Sequence, residues 1–248
     1  MGNMLLYLKA EILKNKRSPI YVFHIIVPLL GVLMYLMPCF FLKEPSGSKT
    51  SAFLGAVSVV FPILTGIISS MVSQQEEEAG DYHELLGVPS RIKPIGSKLV
   101  LIILLGAVTT IVFSLLFMGL FKVIFHETPY GAGFYALGSM LIVATNIIIY
   151  LFHMFLSFRF NGGVSIGAGI LESLLAELLT TNLGENLWCF IPCAWSTRLS
   201  KMFIYQWQVN PMAVFTSGMF SYIMVATLAA LILFLLWFSF WQGRKTEE

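Results

Sequence analysis

Residues 74–99 read QQEEEAGDYHELLGVPSRIKPIGSKL, and this stretch decides the fold. It is a dense charged insert between two long apolar runs. Five of the chain's thirteen acidic residues fall in it: Glu76, Glu77, Glu78, Asp81 and Glu84. Its second half is basic, with Arg91, Lys93 and Lys98. Only 11 % of the 248 residues are charged and 57 % are hydrophobic, so polar material is scarce elsewhere. Charge concentrated between two apolar runs marks a place where a chain leaves a membrane and re-enters it.

Working outward, the mean hydropathy of +0.83 excludes an ordinary soluble domain. Six apolar runs approach the roughly 20 residues that cross a bilayer: 20–42, 52–72, 99–124, 134–158, 164–179 and 212–241. In hydrocarbon a backbone must satisfy its own hydrogen bonds, so these runs are expected to be helices. They lack the alternation of barrel strands. The expected fold is all-α and integral to the membrane, one domain over 1–248. An interfacial helix occupies 1–19, two spans 20–73, an inner loop 74–98, three spans 99–180, an outer re-entrant segment 181–211 and the last span 212–242. No room remains for a soluble catalytic domain.

Lysine and arginine set the orientation. An even number of spans puts both termini on one side with the acidic loop. That side carries Lys9, Lys14, Lys16, Arg17, Arg91, Lys93, Lys98, Arg159, Arg244 and Lys245, against Lys43, Lys49, Lys122, Arg198 and Lys201 on the other. The two-to-one bias places both termini and the loop in the cytoplasm. The net charge of +2 is explained by topology and gives no sign of nucleic acid. The first apolar run is too long for a signal-peptide core and no small-residue cleavage site follows it, so an uncleaved anchor is expected.

Residues 4–16 have the pattern of a helix lying on the inner surface, with Leu5, Leu8 and Ile12 on one face and Lys14 opposite. Pro28, Pro38 and Pro62 fall inside spans, where each can kink a helix or only shape its packing. Asn146, Tyr150 and His153 follow i, i+4, i+7 spacing and share a face of the fourth span. That face should turn into the bundle, as interhelical glue or as part of a substrate path. In the short fifth span, Gly163 and Gly167 form a small-xxx-small pattern suited to close helix approach. Glu172 lies near its middle, the costliest place for a carboxylate; Glu177 is expected to pair with Arg198 or Lys201. Trp188, Trp195, Tyr205 and Trp207 mark the outer interface. Cys39, Cys189 and Cys193 read as small thiols, not as a disulfide framework or zinc site.

Catalytic motifs fail on spacing. Ser46-Gly47-Ser48-Lys49-Thr50 lacks both glycines of a phosphate loop. His83-Glu84 and His126-Glu127 open a zinc-protease pattern whose second histidine position holds Gly87 or Tyr130. The paired glutamates resemble the start of an intramembrane-protease motif, but its arginine position holds Asp81 or Tyr82. No catalytic residue and no metal ligand is assigned. Treated as one helix, residues 76–86 gather Glu77, Asp81 and Glu84 on one face, with Ala79, Tyr82, Leu85 and Leu86 opposite. Acids in its first turn suit the helix dipole, and Gly87 and Pro89 end it. Such an acidic face suits a basic protein partner.

Glu78-Ala79-Gly80, Glu84-Leu85-Leu86, Pro89-Ser90-Arg91 and Ser97-Lys98-Leu99 resemble the E-R-G…E-L-L…P-V-S-R…G-K-L loop of type-2 ABC export permeases. Ala79 stands where that family commonly carries a basic residue. The resemblance implies a coupling helix between spans 2 and 3 that docks on an ATPase, formed here by Glu76, Glu77, Glu78, Gly80, Asp81, Tyr82, Glu84, Leu85 and Leu86. It also implies a cytoplasmic ATPase dimer that holds ATP and Mg, and a second six-span permease, a paralogue or a second copy. The acidic run ending Glu-Glu-Ala-Gly is similar to permeases of lantibiotic self-protection transporters in the bacterial cell membrane, which implies an exported antimicrobial peptide. Glu172, Glu177, Asn146, Tyr150 and His153 are the candidate polar path for it. The alternatives are an ABC exporter of another amphipathic drug or lipid-linked substrate, an intramembrane protease, and a non-transporting anchor or sensor.

Overall fold

The computed structural model describes residues 4–16 and 18–244. Arg17 and Lys245, counted above on the inner side, lie outside them. Among the described residues the regular structure is helical: α1 (Met4–Asn15), α2 (Pro19–Cys39), α3 (Ser46–Glu78), α4 (His83–Leu86), α5 (Ile92–Phe125), α6 (Ala132–Arg159), α7 (Gly162–Leu178), α8 (Cys193–Gln206) and α9 (Gly218–Phe240). Polar residues define several starts. Ser18 Oγ accepts from the Ile20 amide ahead of Pro19, Asn161 Oδ1 from the Val164 amide, and Ser217 Oγ from the Phe220 amide.

Among the described residues five helices, α2, α3, α5, α6 and α9, are long and apolar enough to cross a membrane. The remaining expected span, the fifth, is α7. Its 17 residues reach about 25 Å, less than the roughly 30 Å of a hydrocarbon core. Conversely, α3 and α5 have 33 and 34 residues, about 50 Å each. They overrun the expected spans at the acidic end. Residues 74–78 therefore belong to α3, and residues 92–98 to α5. The three prolines sit inside α2 and α3 without ending the helix that continues past Pro28 and Pro62.

The bundle is apolar outside and partly polar within. Ile25, Leu33 and Met34 of α2, and Val108 and Val112 of α5, are exposed, whereas Ser58, Thr65, Ser69, Ser139, Thr145 and Ser157 are buried. A soluble protein would not leave so much apolar surface open, so these outer faces fit lipid. Inside, the hydroxyls of Ser58, Thr65 and Thr145 donate to carbonyls one turn back. Ser58 Oγ also meets Ser200 Oγ across helices at 2.9 Å, whereas Ser69 Oγ and Ser157 Oγ have no partner among the described residues. The central helix is α6, whose Phe134, Leu141, Tyr150 and Phe158 are all fully buried. The segment before the last span forms three short 3-10 turns, Asn182–Gly184, Trp188–Phe190 and Pro211–Ala213, and α8, whose Trp195, Leu199 and Phe203 pack inward.

α3 and α7 pack most closely, but not through the expected glycines. A Cβ on Gly167 would meet nothing within 4 Å, and one on Gly163 only its own Asn161. The contact runs through Gly162, Ser165 and Gly169, a face offset from them. A Cβ on Gly169 would lie 2.7 Å from the Pro62 carbonyl oxygen. Gly169→Val is therefore expected to force the helices apart at a cost of about 1–3 kcal/mol, read as a lowered unfolding midpoint of the purified protein. Gly167→Val should leave the midpoint unchanged.

Candidate functional site

The acidic segment is not one helix. α3 ends at Glu78, and the chain turns through Gly80, Asp81 and Tyr82 at φ of 124°, 50° and 66°. Only α4, one turn over His83–Leu86, follows. Left-handed backbone is natural for glycine and tolerable for aspartate, but unfavourable for tyrosine, by about 1–3 kcal/mol. Burial holds Tyr82 there. Its ring meets Trp241 at 5.1 Å and Phe158 at 5.7 Å, and its hydroxyl reaches Ser73 at 3.4 Å. Leu85 is buried beside it in the same apolar cluster. The turn is thus pinned by an aromatic plug, and the break redirects the acids onto different sides.

Glu76 faces inward. Lys98 Nζ of α5 donates to Glu76 Oε1 at 2.5 Å and to both oxygens of Glu11 on α1, at 2.7 and 2.8 Å. Lys14 Nζ of α1 donates to the same Glu76 oxygen at 2.7 Å and to Glu84 Oε2 at 2.9 Å. Three carboxylates and two ammonium groups so tie α1, α3, α4 and α5 together. The centre is dry: the side chains of Lys98 and Glu76 are 2 % and 1 % exposed. Burial pushes the Glu11 carboxyl up against the pull of Lys98. Burial also works against the Lys14 ammonium, but hydrogen bonds to Glu76 and Glu84 outweigh it and raise its pKa. The Lys14 hydrogen bond and charge hold the Glu84 carboxyl below its usual value.

Glu77 pairs with Arg244 at 2.7 Å, and the same guanidinium donates to the Tyr82 hydroxyl and lies over its ring. Arg91 donates to the Trp241 carbonyl. The C-terminal end of α9, α1 and the acidic turn therefore meet at one end of the bundle. What faces outward is Glu78, Ala79, Gly80, Asp81, His83, Glu84 and Gly87. Among the described residues Glu78 accepts only from its neighbour Gln74, at 2.9 Å. Leu86, expected on the face opposite the acids, is half-buried, and a Cβ on Gly243 would lie 3.4 Å from it.

The second set of candidates separates into parts. His153 Nε2 and Glu172 Oε2 are 2.8 Å apart, joining α6 to α7. His153 Nδ1 lies 3.0 Å from Ser165 Oγ, which donates to the Gly66 carbonyl at 3.1 Å. Tyr150 faces away from that pair: its ring meets Phe61 edge-on at 5.8 Å, and its hydroxyl fills the space beside Gly106. Asn146 is buried, its amide donating to the Ile142 carbonyl at 2.8 Å. Glu177 is exposed and makes no ion pair among the described residues. The expected partner Arg198 instead donates to the carbonyls of Leu179 and Thr181, at 2.7 and 2.8 Å, closing the last turn of α7. The thiols of Cys39, Cys189 and Cys193 are free.

Sequence reasoning missed Glu11, Lys14, Lys98 and Arg244 as partners of the acidic segment. One signal was available: Glu11 and Lys14 are three apart on α1 and share a face. Nothing local pointed to Arg244, 167 residues from Glu77.

A bundle of apolar helices with a charged, pinned turn at one end defines a multi-pass membrane protein. Residues 7–171 match the family model described as ABC-2 family transporter protein. The chain belongs to that family and is a transport permease, of a kind that normally works with an ATPase subunit. No curated protein and no solved structure matches the chain.

Proposed function

We propose that this chain is one six-span permease of a bacterial exporter that expels a lantibiotic or similar antimicrobial peptide from the membrane. In this reading both termini lie in the cytoplasm of a bacterial cell, with α7 as the fifth, short span. A cytoplasmic ATPase dimer binds ATP and Mg, and a second permease, paralogue or copy, completes the pathway. The outward residues Glu78, Gly80, Asp81 and Glu84 meet the ATPase. Glu76, Glu77, Tyr82, Leu85 and Leu86 act behind that surface, handing its motion to the bundle. The observation that carries the reading is the ion cluster of Glu76, Lys98, Glu11, Lys14 and Glu84. It makes the acidic turn rigid with α1 and α5, so a push on the tip moves helices.

The peptide substrate rests on the resemblance of the acidic loop, and the membrane-facing carboxylate Glu172 supports a cationic cargo. The experiment is protection of living cells. Cells making this chain with its ATPase and second permease are expected to survive a lantibiotic concentration that kills cells carrying an ATPase inactive in hydrolysis. Equal killing of both, with all subunits in the membrane, would reject the peptide as substrate. An exporter of another amphipathic drug would then be favoured.

A further inference from the structure

A groove of about 670 Å³ opens between α6, α7 and α9, closed at one end by the turn Ile191-Pro192-Cys193 that starts α8. Its wall is almost wholly apolar, with Phe152, Phe155, Leu175, Leu233 and Trp237 among its large side chains. Phe152, Leu175 and Leu233 are also exposed on the outer surface, so the groove opens sideways, toward lipid. One carboxylate stands in this wall, Glu172, with its side chain 17 % exposed.

That carboxylate is only half used. Its Oε2 is held by His153 Nε2, and His153 is fixed in turn by Ser165, which itself donates to the Gly66 carbonyl. Among the described residues nothing bonds Oε1. A carboxylate oxygen in an apolar wall without a donor is costly, and the His153 contact fixes its direction. The shape and chemistry therefore select a ligand with one hydrogen-bond donor, best a cationic one, on an apolar body.

We propose that this groove is a lateral binding site for an amphipathic cation, with a primary ammonium at Glu172 Oε1 and an apolar tail along α9. The volume suits a drug-sized amphiphile or one arm of a peptide, since small-molecule sites span roughly 300–1,000 Å³. A whole antimicrobial peptide does not fit. The site deepens the transport reading and rests on it for its purpose, yet binding needs no ATPase, so the two fail separately.

The test is equilibrium binding of radiolabelled dodecylammonium, and of dodecanol as the uncharged twin, to the full chain in phosphatidylcholine nanodiscs. Dodecylammonium is expected to bind more tightly than dodecanol. Glu172→Gln should weaken dodecylammonium about tenfold or more and leave dodecanol unchanged. Leu175→Lys, on the groove rim, should weaken the cation alone, which covers the case in which the Glu172 variant does not fold. Ala230→Trp, which fills the groove, should remove both ligands. Equal binding of dodecylammonium to wild type and the folded Glu172 variant would overturn the proposal. So would binding that survives Ala230→Trp, or a dimer of this chain that Ala230→Trp dissociates, which would make the groove an interface between copies.

Discussion

Lys98→Met is expected to be the most damaging single substitution at the charged end of the bundle. The methionine keeps much of the lysine's volume but removes the one cation between Glu11 and Glu76. Both carboxylates would stay beside each other in a dry site, the Glu76 side chain 1 % exposed. Breaking a buried ion pair by deleting one partner costs roughly 3–5 kcal/mol, because the other charge remains uncompensated. Lys14 softens the loss at Glu76, which it also touches at 2.7 Å, but does not hydrogen-bond Glu11. A lowered unfolding midpoint of the purified permease would show the effect. Adding Glu76→Gln to Lys98→Met should recover part of it, since one buried charge then disappears. An unchanged midpoint in Lys98→Met would mean that the cluster does not hold α1 to α3 and α5.

Most of the helical fold was legible in the sequence because hydrophobic length is a local property. The runs at 20–42, 52–72, 99–124 and 134–158 each contain most of a helix. The ends were less legible. Glu76, Glu77 and Glu78 are polar, so the apolar run stops at Val72, yet α3 continues because helix propensity does not require apolar residues. The break at Gly80-Asp81-Tyr82 escaped notice for a different reason. A tyrosine at positive φ is held by Trp241 and Phe158, contacts that lie far away in sequence. The same holds for Glu76: an acidic run reads as a solvated face, and only the tertiary arrival of Lys98 and Glu11 shows that one of its members is buried. Helical spacing on α6 grouped Asn146, Tyr150 and His153, but neighbours on three different helices divide that face among them. The pairing of His153 with Glu172 joins two members of the candidate polar path that lie on different helices.

Reversing the charge of the exposed tip is expected to abolish coupling without unfolding the protein. Glu78 and Asp81 are exposed, and neither carries an ion pair among the described residues, so Glu78→Lys with Asp81→Lys should leave the unfolding midpoint nearly unchanged. A basic ATPase surface would then meet like charge, which slows encounter and weakens the complex by about tenfold or more. Glu76→Gln should do the opposite: the tip stays intact, the ATPase binds, and the buried link to Lys98 and Lys14 is loosened. The most direct measurement places a photo-crosslinking side chain at position 81 of the otherwise intact transporter. Ultraviolet light is expected to join this chain to the ATPase, and the charge-reversed tip to lose the ATPase on purification. An ATPase that co-purifies and hydrolyses ATP in the complex, yet never crosslinks to position 81 and is retained by the reversed tip, would contradict it.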